Sequence, residues 1–167
     1  QARTMLDQGL ITEKDMAEVV ANSRRNAMNN PHAQLKGDVS AEQLLEEPVY
    51  EAPLRRHDCC PISDGACAMV ICTVEKAKEW GKPYAVIKGI DHRIETHHIG
   101  SRDLTQSVST KQAAEAAGLG NGDVDIAEIY APFSHQEIIL RRALGLGDST
   151  KVNQSGGVLA GNLMMAS

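Results

Sequence analysis

The stretch "VDIAEIYAPFSHQEIILRRALGL", residues 124–146, decides the fold class, because a strand ends and a helix begins inside it within four residues. Residues 124–130 read as a strand. Pro132 keeps Ala131 extended, and Ser134 followed three residues on by Glu137 reads as a capping box that opens a helix. Ligands of α/β folds gather at the carboxyl ends of strands, so Tyr130 stands where chemistry is usually done. The same tyrosine also reads as a core-edge residue with its hydroxyl satisfied. The pattern alone leaves both readings open.

Working toward the amino terminus, "STKQAAEAAGL" (109–119) reads as a helix stopped by Gly118, and "YAVIKGIDHRIE" (84–95) as a strand. "TVEKAKEW" (73–80) is a helix closed by Gly81 and Pro83, and "ACAMVIC" (66–72) is an apolar strand. Strands alternating with helices of this length predict an α/β layered fold with a mixed sheet. Residues 29–61 hold four prolines and one short helix capped by Ser40 and Gln43, an extended and irregular excursion. "TEKDMAEVVANSRRNAM" (12–28) is a helix opened by Thr12 and Asp15, with Met16, Val19, Val20 and Ala27 on one face. On the other side, "VNQSGGVLAGNLMMAS" (152–167) sets Gly156, Gly157 and Gly161 among hydrophobic residues. Such a run lets backbone approach something closely, or forms a plain strand-to-helix turn packed on another strand.

Charge and composition narrow the function. With 17 Lys and Arg against 22 Asp and Glu, the net charge is −5, which argues against a nucleic-acid surface. The basic pairs Arg24–Arg25, Arg55–Arg56 and Arg141–Arg142 are isolated and read as solvated helix faces. No apolar run approaches the length of a membrane span, and no leader peptide is visible. Cys59, Cys60, Cys67 and Cys72 form no CxxC pair, so buried free thiols in a cytoplasmic protein are expected and no metal site. His97 and His98 have no acid or cysteine at ligand spacing and read as loop or strand-edge residues. Gln1 and Ser167 both read as cut ends of a longer chain.

Three segments in register, "HDCCPISDGACAMVI" (57–71), "IYAPFSHQEIILRRALGL" (129–146) and "VNQSGGVLAGNLMMAS" (152–167), resemble consecutive landmarks of the thiolase superfamily, particularly its lipid-transfer or sterol-carrier-type branch. "NNPHAQLKG" (29–37) resembles the loop domain of those enzymes, so the likeness runs over nearly the whole chain. The resemblance implies a thiolase-like α/β fold, here its C-terminal half. Residues 1–61 would end the loop domain, and 62–167 would form a truncated C-terminal domain. The N-terminal half with the nucleophilic cysteine, and the last strands, would lie outside this sequence. None of the four cysteines matches a catalytic position, so structural roles are assigned to them.

What the resemblance implies about chemistry is a carbon–carbon bond made or broken beside a coenzyme A thioester, the thioester being substrate and no cofactor being required. Two positions depart from the family pattern. Where thiolases carry Gly-His-Pro this chain reads Gly161-Asn162-Leu163, and an asparagine amide donates a hydrogen bond but takes no proton near neutral pH. Where they carry Asn-Glu-Ala-Phe or His-Asp-Cys-Phe it reads Tyr130-Ala131-Pro132-Phe133. The combination is similar to thiolase-like aldolases that act on steroid side-chain acyl-CoA thioesters with a small OB-fold partner subunit. Tyr130, Asn162 and, ranked behind them, His135 are the candidate catalytic residues. Phe133, Gly156, Gly157 and Gly161 are the candidate substrate-binding residues. Retro-aldol cleavage is expected ahead of acetyl-CoA acetyltransferase-like thiolysis, in a homodimer, with this 167-residue piece inactive alone. A non-catalytic acyl-CoA or lipid-binding subunit is the alternative.

Overall fold

In the computed structural model, residues 1–120 and 124–161 are described. The first well-packed element is α2 (Glu13–Asn26), preceded by the short α1 (Ala2–Asp7). Thr12 accepts from the Asp15 amide while the Asp15 side chain accepts from the Thr12 amide, the reciprocal cap its sequence predicts. Helical spacing puts Met16, Val19 and Val20 on a buried face. Val20 and Leu44 of α3 (Ala41–Leu45) meet Leu159 in one core cluster, and Met16 joins Met5, Ile11 and Ile139 in another. Burial of each such side chain contributes about 1.5–3 kcal/mol. α3 has the Ser40–Gln43 capping box expected of it.

The strands are short and fall into two pairs. β1 (Val49–Glu51) and β2 (Leu54–Arg55) run antiparallel, and β3 (Ile126–Ala127) and β4 (Lys151–Val152) run parallel. Between them lie α4 (Val74–Trp80), ended by Gly81 in the left-handed region, and α5 (Val108–Ala116). α6 (Ser134–Ala143) follows β3 and packs on α2, whose C-terminal end also meets the 3-10 turn Val158–Ala160. The packed core therefore draws on residues on both sides of position 61.

Two expected strands differ. Residues 66–72 and 84–95 take no regular secondary structure and join no ladder among the described residues. Their apolar side chains stand in solvent, with Met69 76%, Val70 78% and Ile71 72% exposed. A strand gains stability from a neighbour that takes up its amides and covers one face. Local apolar content cannot substitute for one. For the same reason the expected strand 124–130 forms a ladder over two residues, where β4 lies beside it. The thiols differ too: all four are free, but Cys59 and Cys60 are half-buried and Cys67 and Cys72 are exposed.

Candidate functional site

The segment after β3 is held from both flanks. On one flank the parallel ladder runs on as the Asn153 amide nitrogen donates to Ala127 O (2.8 Å). The Ile129 amide, next along the strand, donates instead to Asn153 Oδ1 (2.7 Å). A side chain thus takes over where the backbone ladder stops. On the other flank, Cys60 N donates to Pro132 O (2.9 Å), and Cys59 forms an antiparallel bridge with Phe133. Tyr130 lies half-buried between these holds, one residue beyond Ile129.

The start of α6 corrects the capping box expected from Ser134 and Glu137. Phe133 is the N-cap and has no side-chain cap bond. Both expected partners turn inward. Ser134 Oγ donates to Asp58 Oδ1 (2.5 Å), with both residues fully buried. Asp58 Oδ2 also accepts from the Arg55 amide (2.8 Å) and lies 3.9 Å from His57 Nε2, while His57 Nδ1 is 3.0 Å from Glu47 Oε2. Glu137, equally buried, accepts from Asn153 Nδ2 (2.8 Å) and lies 4.0 Å from the Arg141 guanidinium. Burial pushes the Glu137 carboxyl above the usual carboxylate range, against the opposing pull of the Asn153 bond. Burial beside Asp58 likewise raises the Cys59 thiol.

His135 is buried, 5% exposed, with its ring 5.8 Å from that of Phe133 and no hydrogen-bond partner at Nδ1. Burial, helped by the amino-terminal charge at Gln1, lowers its pKa to about 4, although Asp58 pulls the other way, so the imidazole is neutral at pH 7. Phe133 and His135 border an open cavity of about 320 Å³ that α1 and the β1–β2 turn line on the other side. A larger hollow of about 670 Å³ lies between Arg24, Arg56, His57 and Cys59.

The glycines lie against protein. A Cβ on Gly156 would sit 2.6 Å from Ala27 Cβ, at a backbone φ of +95°, and one on Gly157 would sit 2.9 Å from the Asn153 amide. A Cβ on Gly161 would meet the Gln34 side chain at 2.7 Å. Ser23 Oγ donates to Gly156 O, Asn26 Nδ2 to the carbonyls of Val152 (3.1 Å) and Asn153 (3.0 Å), and Asn30 Nδ2 to Ser155 O (2.9 Å). The close approach read from the glycines is, on this face, the approach of the loop to the end of α2. Asn162 lies outside the described residues.

The structure thus brings Phe133 and His135 to one cavity and Tyr130 to the clamped strand end beside them. Sequence reading missed Asp58, Ser134, Glu137 and Asn153 as a set. Asn153 stands inside "VNQSGG", where attention went to the glycines. Glu137 is a charged residue whose spacing from Ser134 satisfies the capping rule, which hid its burial.

No family model matches the chain. It is 34% identical over 165 residues to "Benzoylsuccinyl-CoA thiolase subunit BbsB" of Thauera aromatica, covering 93% of this chain and 43% of that protein. It is also 34% identical over 139 residues to "Acetyl-CoA acetyltransferase" of Methanothermobacter thermautotrophicus, covering 80% of this chain and 36% of the relative. Among solved structures, "Ltp2-ChsH2(DUF35) aldolase" superposes with a TM-score of 0.82 at 24% identity, over 95% of this chain and 48% of the other. The fold is thiolase-like. These likenesses support a place in the thiolase superfamily, and the chain spans about two fifths of the length of the curated relatives it matches.

Proposed function

We propose that the chain is part of a cytoplasmic enzyme that makes or breaks a carbon–carbon bond beside an acyl-CoA thioester, with retro-aldol cleavage favoured over thiolysis. The observation that carries this reading is the clamped strand end, which delivers a half-buried tyrosine where thiolases carry an asparagine or histidine. In the proposed cleavage a base takes the β-hydroxyl proton of a β-hydroxyacyl-CoA, the Cβ–oxygen bond becomes a carbonyl, and the bond between Cα and Cβ breaks to release that carbonyl product. The electron pair passes into the thioester enolate, which is then protonated at Cα. A phenol with an ordinary pKa of about 10 suits the last step, as donor to the enolate and source of its proton. Asn162 would donate to the enolate oxygen. Neutral His135 would serve as a secondary acid–base group, Phe133 would contact the acyl portion, and the backbone of Gly156, Gly157 and Gly161 would pass the thioester.

The likeness to a protein titled with a DUF35 component motivates a proposed small partner subunit, and a homodimer is proposed on the family resemblance. The test uses the full-length protein and two substrates, a β-hydroxyacyl-CoA and a β-ketoacyl-CoA. Tyr130→Phe should abolish most cleavage of the first, and Asn162→His should not improve it. A gain in thiolysis of the second by Asn162→His would instead favour thiolase chemistry. Binding of both thioesters with turnover of neither would assign the lipid-binding role.

A further inference from the structure

Asn153 occupies a position that neither the glycines nor the candidate catalytic residues account for. It is 3% exposed and adopts a left-handed φ of +50°, a conformation asparagine tolerates better than most residues. Each part of its side chain has a different partner. Oδ1 accepts from the Ile129 amide (2.7 Å), and Nδ2 donates to Glu137 Oε2 (2.8 Å). Gly157 packs so closely on that amide that a methyl group there would lie 2.9 Å from it. One carboxamide therefore joins the strand end, the first turns of α6 and the glycine loop.

The orientation of that carboxamide is determined by its partners. A backbone N–H needs an acceptor and a carboxylate needs a donor, so turning the amide over would place donor against donor and acceptor against acceptor. Aspartate fits the Ile129 side but not the Glu137 side. Alanine removes both bonds and leaves a buried carboxyl without its donor.

We propose that Asn153 is a positioning residue: by bonding Ile129 and Glu137 together it sets the depth at which the strand end presents Tyr130 to the glycine loop. This deepens the functional reading above and rests on it for the identity of the reaction. Asn153 touches no reacting atom. Its effect is geometric, and a misplacement of about 1 Å costs on the order of 100-fold in rate.

The charged groups that face the pair are Arg141 on α6, 4.0 Å from Glu137 Oε1, and Glu128 beyond β3, which accepts from the amide and hydroxyl of Ser155. α2 adds the neutral Asn26 amide. In Asn153→Asp, two carboxyls would therefore share one proton at acid pH and repel at alkaline pH. Adding Glu137→Gln restores a donor opposite the new acceptor, with the direction of the bond reversed.

The experiment uses the full-length protein, with fluorotyrosine placed at residue 130 and its 19F resonance recorded beside kcat and KM. Asn153→Gly, which suits the left-handed backbone and deletes the side chain with both of its bonds, should lower kcat about 100-fold with KM little changed. Its resonance should shift or broaden. Asn153→Asp should lose kcat as pH rises, and Asn153→Asp with Glu137→Gln should recover both kcat and the wild-type resonance.

A folded Asn153→Gly protein with wild-type kcat and an unmoved resonance would overturn the proposal, as would a folded double variant that recovers neither. If the wild type turns over neither substrate, the functional reading fails. The resonance then judges the clamp on its own, restoration in the double variant supporting it and lack of restoration overturning it. If Asn153→Asp does not fold, Asn153→Gly decides by the same two readouts.

Discussion

Residues 1–58 together with 129–161 and residues 62–104 share one chain and similar apolar content, yet they behave in opposite ways. In the first region, α2, α3, α6 and the glycine loop bury Met16, Val20, Leu44 and Leu159 and satisfy their polar groups in pairs. In the second, Val70, Ile71, Ile90 and Ile94 stand largely in solvent along backbone that joins no ladder among the described residues. The difference lies in the partner. Helix α2 brings its own backbone bonds and needs only one covered face, whereas an extended segment needs another segment for both its hydrogen bonds and its burial.

The contrast is broken most severely at Asp58. Asp58→Ala deletes the acceptor of the Ser134 hydroxyl and the Arg55 amide inside the packed region. It should cost about 3 kcal/mol in urea unfolding of the full-length protein. A loss within experimental error would mean that these buried bonds contribute nothing net.

A smaller effect is expected from His135. Its folded pKa of about 4 lies below the unfolded value of 6.5, so the unfolded chain binds the proton more readily. The stability this residue contributes is complete above pH 6.5 and is lost as pH falls toward 4. His135→Gln should flatten that acid limb in pH-dependent unfolding, and an unchanged limb would show that the ring is solvated. Glu137, shifted the opposite way, contributes stability that is lost as pH rises and is untouched by this variant.

The smallest effect belongs to the open region. Met69→Ser in the 167-residue chain should change its stability by less than about 0.5 kcal/mol. A large loss would mean that residue 69 is buried in solution. Light scattering offers a companion measurement, since so much exposed apolar surface should make the isolated chain associate.

How far the sequence could be read follows the same line. The caps at Thr12 and Ser40, the stop at Gly81 and the turn from strand to helix at Pro132 are local events, set by residues within a few positions of each other, and each was legible. The ladders of 66–72 and 84–95 were not, because pairing depends on residues far away in the chain. Ser134 and Glu137 were misread for a related reason. Their spacing satisfies a local rule, but Asp58, 76 residues earlier, and Asn153, 16 residues later, compete for the same polar atoms and win them in the buried setting. Tyr130 was singled out by its place at a strand end, whereas the carboxamide that holds that end was hidden behind its glycines.

As proposed above, Tyr130 acts as a proton donor and not as a packing residue. Tyr130→Phe keeps the ring and removes only the hydroxyl, so turnover of a β-hydroxyacyl-CoA by the full-length variant tests it directly. A fall of about 100-fold or more in kcat is expected, with thioester binding and unfolding midpoint close to wild type. Wild-type turnover by a folded Tyr130→Phe enzyme would contradict it.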